Sequence, residues 1–131
     1  MAKFQEEHMR IIHWFVGSLI LFFDWLTSPK GIKRASHIQD SVNAKARDLT
    51  LYQYKACPFC VKVRRSMKRQ SLPIETRDAK RCDKAKEELL AGGGALKVPC
   101  LRVTKASGDV HWMYESKAII AYLEDQFAEA A

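Results

Sequence analysis

The sequence predicts an α/β fold: a βαβαββα domain over residues 49–131, built on a four-stranded mixed sheet and preceded by an N-terminal hydrophobic helix. Three observations predict it. From residue 49 onward, short runs that read as strands alternate with stretches of helical periodicity. A C-x-x-C, Cys57-Pro58-Phe59-Cys60, stands where the first strand gives way to the first helix. Ahead of all this, residues 11–26 are apolar nearly all round.

The elements follow in chain order. From Met9 to Leu26 a helix would be about 27 Å long, close to a hydrocarbon core of roughly 30 Å. Trp14 and Trp25 lie near its ends, where interfacial aromatics sit. His13 and Asp24 lie inside it and are costly to expose to lipid. A cleaved signal peptide fits poorly, because Glu6 and Glu7 precede the apolar run and no small-residue cleavage site follows it. The expectation is a membrane anchor over residues 9–26. A helix lying in the headgroup region and a soluble helix docked on the domain or in a dimer stay open. Lys30, Lys33 and Arg34 follow the segment, so the positive-inside tendency puts the rest of the chain on the cytoplasmic side of the membrane, anchored or peripheral. Residues 1–26 are thus read as the hydrophobic helix, 27–48 as a polar, partly helical linker opened by Ser28-Pro29-Lys30-Gly31, and 49–131 as the folded domain.

Within that domain, Leu49–Tyr54 reads as a strand and 58–70 as a helix with Val61, Val63 and Met67 apolar. Residues 72–77 read as a second strand. A helix over 83–91 is capped by Asp83 and stopped by Gly92-Gly93-Gly94. Residues 98–104 and 110–114 read as a hairpin turning at Ser107-Gly108-Asp109. The last helix, 116–127, carries Ile119, Ile120, Leu123 and Phe127 on one face.

The cysteine pair carries the chemistry. Pro58 suits the first helical position, where its missing N–H is no loss. Cys57 then falls at the cap, facing unpaired amides and the positive end of the helix dipole. Those groups favour a thiolate over a thiol, and the thiolate is the nucleophile. Lys55, Lys62, Arg64 and Arg65 add positive charge nearby. Cys60, one turn on, can close a disulfide with Cys57. Half a zinc site would need a second ligand pair, but Cys82 and Cys100 stand singly and His37 and His111 have no metal-ligand spacing, so no metal is expected. A purely structural bridge over so short a loop would add little stability. The pair reads as redox-active.

Composition narrows the setting. The chain has 131 residues, 47% of them hydrophobic and 28% charged, enough for one packed domain plus an appendage. Four cysteines in a chain of this size suit a reducing compartment with one active dithiol. The net charge of +7 favours acidic small molecules, anionic membrane surfaces or acidic proteins. No nucleic-acid recognition motif accompanies it, so no nucleic acid is expected as a partner.

Four segments in order give the domain a family resemblance: Cys57-Pro58-Phe59-Cys60 after a strand, Lys97-Val98-Pro99, the Gly108-Asp109 hairpin, and Tyr114-Glu115-Ser116-Lys117-Ala118-Ile119-Ile120. Together they resemble the glutaredoxin family, especially members that share features with the N-terminal domain of glutathione S-transferases. The resemblance implies a thioredoxin-like fold and glutathione as co-substrate. It implies that Cys57 attacks a disulfide and that Cys60 serves the dithiol route. Phe59 and Val98 would line the glutathione site, with the Val98 backbone pairing with the cysteinyl part as an added strand. Pro99 would be cis and lie beside Cys57. Ser116 and the first amides of the last helix would hold the γ-glutamyl carboxylate, and Glu115 would meet the ammonium. The family's basic residue three places before the first cysteine is Tyr54 here. Lys55, one place nearer, is the candidate for the glycyl carboxylate. The implied activity is reduction of glutathione mixed disulfides or protein disulfides, with glutathionylated or disulfide-containing proteins as partners. A transferase-like activity, reduction of an oxyanion or peroxide, and a non-catalytic glutathione- or iron–sulfur-binding module at the membrane are the alternatives. Pro58 and the second cysteine argue against cluster ligation.

Overall fold

A computed structural model describes residues 2–128, with side chains from Glu6 onward. Helix α1 (Ala2–Leu26) leads into α2 (Ser36–Ala46). The domain then runs β1 (Leu49–Gln53), α3 (Pro58–Arg69), β2 (Glu75–Asp78), α4 (Asp83–Gly93), β3 (Cys100–Thr104), β4 (Val110–Tyr114) and α5 (Ser116–Phe127). The sheet order is β2-β1-β3-β4. Strand β1 runs parallel to β2 and antiparallel to β3, and β3 runs antiparallel to β4, so the sheet is mixed.

Alternation along the central strands divides the apolar residues between two layers. Leu49 and Leu51 of β1 and Leu101 and Val103 of β3 face one side, where they pack with Val63 and Met67 of α3 and Ile119, Leu123 and Phe127 of α5. Tyr52 and Cys100 face the other side and pack with Ala85 and Leu89 of α4. The stretch read as a polar linker contains α2, whose Val42 and Ala46 are buried in the first of these layers.

The second layer is stitched by a polar network. The Tyr52 hydroxyl donates to Glu88 Oε2 at 2.5 Å, and Arg77 also donates to that carboxylate. Arg102 Nη1 donates to the Tyr52 oxygen at 3.1 Å. Donation from Tyr52 and the flanking guanidinium charges hold the Glu88 carboxyl below its usual range, while burial raises the Tyr52 phenol.

Several boundaries differ from the sequence reading: β1 ends at Gln53, α3 at Arg69 and β2 at Asp78, and β3 begins only at Cys100, leaving Val98 and Pro99 outside the strand. Strand β2 begins at Glu75, because the turn before it, with Ser71 at φ 53° and Pro73, spends Leu72 and Ile74 on burial instead of on pairing. Helix α4 continues through Gly92 and Gly93. A Cβ at Gly92 would stand 2.1 Å from the Trp112 ring, and one at Gly93 would stand 2.0 Å from the Tyr114 hydroxyl oxygen. Those glycines let α4 lie close on β4, and Gly94 at φ 84° ends the helix. At its other end the cap is Cys82, with Asp83 in the first turn.

Helix α1 meets the domain along one stripe. Gly17, Ile20, Leu21 and Asp24 are half-buried, while Ile11, Ile12, Phe15, Leu19, Phe22, Phe23 and Leu26 are exposed. Asp24 pairs with Arg65 of α3 at 3.1 Å, and Arg65 also donates to the Thr27 hydroxyl at 3.0 Å. A Cβ on Gly17 would come within 3.2 Å of the Ala56 Cβ, so the helix lies directly against the loop that carries the cysteines.

Candidate active site

The loop after β1 delivers Cys57 to the start of α3. Cys57 is the helix cap in extended conformation, Pro58 occupies the first helical turn, and Val61 N donates to Cys57 O at 2.9 Å to begin the helix. Arg64, on the second turn of α3, reaches back to hold the loop. Its guanidinium donates to Lys55 O at 2.7 Å and to Tyr54 O at 3.4 Å, and also bonds the Gln53 side chain. A spacing of seven from Cys57 places it on the same helix side as the cap. Charge near a thiol was the signal read at this position; its role as a tether to the preceding carbonyls was not legible.

Both cysteines are free thiols and differ sharply in environment. Cys57 is half-buried, whereas Cys60 is fully enclosed. Burial pushes the Cys60 thiol up to about 12, and the adjacent Cys57 side chain contributes in the same direction. Cys100, enclosed in the sheet, is pushed up to about 11 by burial. Cys82 is exposed at the start of α4. Among the described residues, no cluster of three or more His, Cys, Asp or Glu side chains is placed to hold a metal ion.

Two cavities flank the cysteine loop. The first, about 340 Å³, is lined by Phe59, Lys97, Val98, Pro99, Tyr114, Glu115, Ser116 and Lys117. Five of the expected binding residues therefore come together: Phe59, Val98, Pro99, Glu115 and Ser116. The Val98–Pro99 peptide is cis. Ser116 is the first residue of α5 and is buried, while Glu115 caps the helix at φ 74°, an uncommon conformation for a side chain-bearing residue. No side chain caps the helix, so its first amides stay open toward the cavity. The Tyr114 hydroxyl donates to Ala95 O at 2.8 Å and closes one wall; burial raises its phenol, with Cys100 behind it contributing. Lys97 and Lys117 add cations that the sequence reading quoted within motifs but gave no task.

Lys55 and Cys57 are not in that group. They line the second cavity, about 420 Å³, with Tyr54, Ala56, Pro58, Asp78, Lys80 and Arg81 from the domain and His13, Val16, Gly17, Ile20 and Leu21 from α1. The structure thus separates Lys55 from the residues expected to share a ligand with it.

A family model described as "Glutathione S-transferase, N-terminal domain" matches residues 51–131. Among solved structures, glutathione transferase Omega 3C from Trametes versicolor aligns with a TM-score of 0.51 at 20% identity, over 76% of this chain and 41% of that one. The chain therefore spans well under half of that transferase. Oxidized glutaredoxin 2 from Chlamydomonas reinhardtii aligns with a TM-score of 0.47 at 21% identity, over 72% of this chain and 90% of that one. No curated protein matches the chain. The fold is thioredoxin-like.

Proposed function

The chain belongs to the glutathione S-transferase N-terminal domain family, and from that premise we propose that it is a glutaredoxin-like, glutathione-dependent thiol–disulfide oxidoreductase. One observation carries the reading: a half-buried thiol and a sealed partner thiol stand at a helix start whose Phe59, between them, lines a cavity built from Val98, Pro99, Glu115 and Ser116. That cavity offers what glutathione presents. Val98 supplies backbone N–H and C=O groups ahead of the cis bond, the open first turn of α5 supplies amides for a carboxylate, and Glu115 supplies a counter-charge for an ammonium. Lys97 and Lys117 line the same cavity and suit the remaining carboxylate.

In this mechanism the Cys57 thiolate attacks the glutathione sulfur of a mixed disulfide. A Cys57–glutathione disulfide forms, and the other thiol leaves as its thiolate. A second glutathione then attacks the glutathione sulfur, releasing oxidised glutathione and restoring Cys57. Cys60 provides the alternative: its thiol, once deprotonated, displaces a substrate held on Cys57 and closes the Cys57–Cys60 bridge. The retained second cysteine favours this reading over a transferase, whose chemistry has no use for it.

The helix α1 supports a place at the cytoplasmic face of a membrane. Residues Glu6–Leu26 are long and apolar enough to cross one, with mean hydropathy 1.4. Their inner stripe is engaged by the domain through Gly17 and the Asp24–Arg65 pair. A helix so docked lies flat in the headgroup region with Phe15, Leu19, Phe22 and Leu26 toward the lipid, since spanning would require that stripe to leave the domain.

The test is turnover of a small glutathione mixed disulfide by the full chain. Cys57→Ser abolishes it. Cys60→Ser retains it and loses reduction of protein disulfides by the dithiol route. Turnover that survives loss of Cys57 contradicts the proposal.

A further inference from the structure

The second cavity lies apart from the residues proposed to hold glutathione, and Cys57 lines it. Its two walls differ in chemistry. Helix α1 supplies Val16, Gly17, Ile20 and Leu21, an apolar surface with the His13 imidazole at one end. The domain supplies Lys55, Lys80 and Arg81. Asp78 is the one carboxylate on the lining, and its Oδ1 already accepts the backbone N–H groups of Lys80 at 2.9 Å and Arg81 at 3.1 Å. An adjoining hollow shares Lys55, Lys80 and Arg81 and extends the basic rim to Arg10.

The position of Cys57 tells what this space receives, because a disulfide attacked by that sulfur must come up to the wall that Cys57 forms. The two cavities lie on either side of the cysteine turn: Phe59 lines the first, while Cys57 and Pro58 line the second. With the glutathionyl group seated in the first, the second is the space left open beside Cys57 for the body of the other thiol.

We propose that the cleft between α1 and the cysteine loop is the binding site for the leaving thiol, and that it selects thiols carrying an aliphatic body and an anionic end. This inference rests on the exchange activity proposed above. In the selected step, the bond between Cys57 Sγ and the glutathione sulfur forms as the bond from that sulfur to the substrate sulfur breaks. The electron pair departs on the substrate thiolate, which takes a proton from solvent; glutathione then regenerates Cys57. The aliphatic body lies on Val16, Ile20 and Leu21, and the anionic end meets Lys55, Lys80 and Arg81. Selectivity comes from the pairing of the two walls, since basic residues alone would accept any anion and the α1 surface alone any apolar thiol.

The test compares three mixed disulfides of glutathione with the full chain: those of mercaptohexanoic acid, mercaptohexylamine and mercaptoethanol. The acid is turned over with a kcat/KM at least about tenfold above the amine, the effect of a modest charge difference near a partly desolvated site. Lys80→Glu combined with Arg81→Glu inverts that ratio. Val16→Asp, on the opposite wall, removes the advantage of the acid over mercaptoethanol. Equal turnover of acid and amine, or a ratio untouched by the double charge reversal, overturns the cleft assignment while leaving the exchange activity standing. An enzyme inert to all three disulfides overturns the exchange activity itself, and this inference with it.

Discussion

Alkylation of the reduced protein by iodoacetamide separates its thiols in a way the structure sets quantitatively. The perturbation is one equivalent of reagent at neutral pH, applied to a Cys82→Ser chain so that the exposed thiol does not compete. Only thiolates react, so ionisation scales the rate. Cys60 is pushed from 9.0 to about 12, which lowers its thiolate fraction about 1000-fold relative to an ordinary cysteine. Cys100 is pushed to about 11, a lowering of about 100-fold. Both are fully enclosed, so access slows them further. Cys57 alone among the three has exposed surface, and it takes essentially all of the label. Peptide mapping by mass spectrometry reads the outcome. In denaturant the three thiols label comparably, which shows that the selectivity belongs to the fold. Labelling of Cys60 in the native protein at a rate matching Cys57 refutes the reasoning, because the assigned roles depend on one accessible and one sealed sulfur.

Three further outcomes follow from the same geometry. Under reducing conditions the unfolded Cys60 thiol loses its proton near 9 while the folded one keeps it to about 12, so stability is full below about pH 9 and falls above it. The fall is at most about 4 kcal/mol, and Cys60→Ala makes the loss of melting temperature with rising pH shallower. Gly93→Ala sets a Cβ against the Tyr114 hydroxyl, costs about 1–3 kcal/mol in denaturant unfolding and raises KM for glutathione by shifting a wall of its cavity. Glu88→Ala removes the carboxylate shared by Tyr52, Arg77 and Arg102. It costs about 1–2 kcal/mol, in the lower part of the charge-assisted range because the site is a quarter exposed, and Glu88→Gln restores part of the loss by accepting from Tyr52.

Local chemistry made much of the fold legible. Strand β4 and helix α5 fall where periodicity put them, because Gly108 fixes the hairpin and the apolar face of α5 has a single sense. The cysteine pair and Ser116 at the start of α5 are likewise readable as short motifs, while the cis Val98–Pro99 bond is what the family resemblance implied. What escaped was set by neighbours distant in sequence. Gly92 and Gly93 read as a helix stop, but the helix runs through them, and Trp112 and Tyr114 of β4 occupy the space their side chains would need. Residues 36–46 read as part of a polar, partly helical linker, since Ile38, Val42, Ala44 and Ala46 are few among polar residues, yet Val42 and Ala46 close the core. Lys55, the candidate that the family resemblance offered for the glycyl carboxylate, lines with Cys57 the cavity that the approach of α1 to Ala56 walls in. That approach depends on Gly17 and on the pairing of Asp24 with Arg65, residues separated by 41 positions.

The account is tested most directly by incubating the Cys60→Ser chain with oxidised glutathione and mapping the product by intact and peptide mass spectrometry. A single glutathione adduct on Cys57, released by added glutathione, is the predicted result. Absence of that adduct, or its appearance on Cys82 while Cys57 stays free, contradicts the assignment.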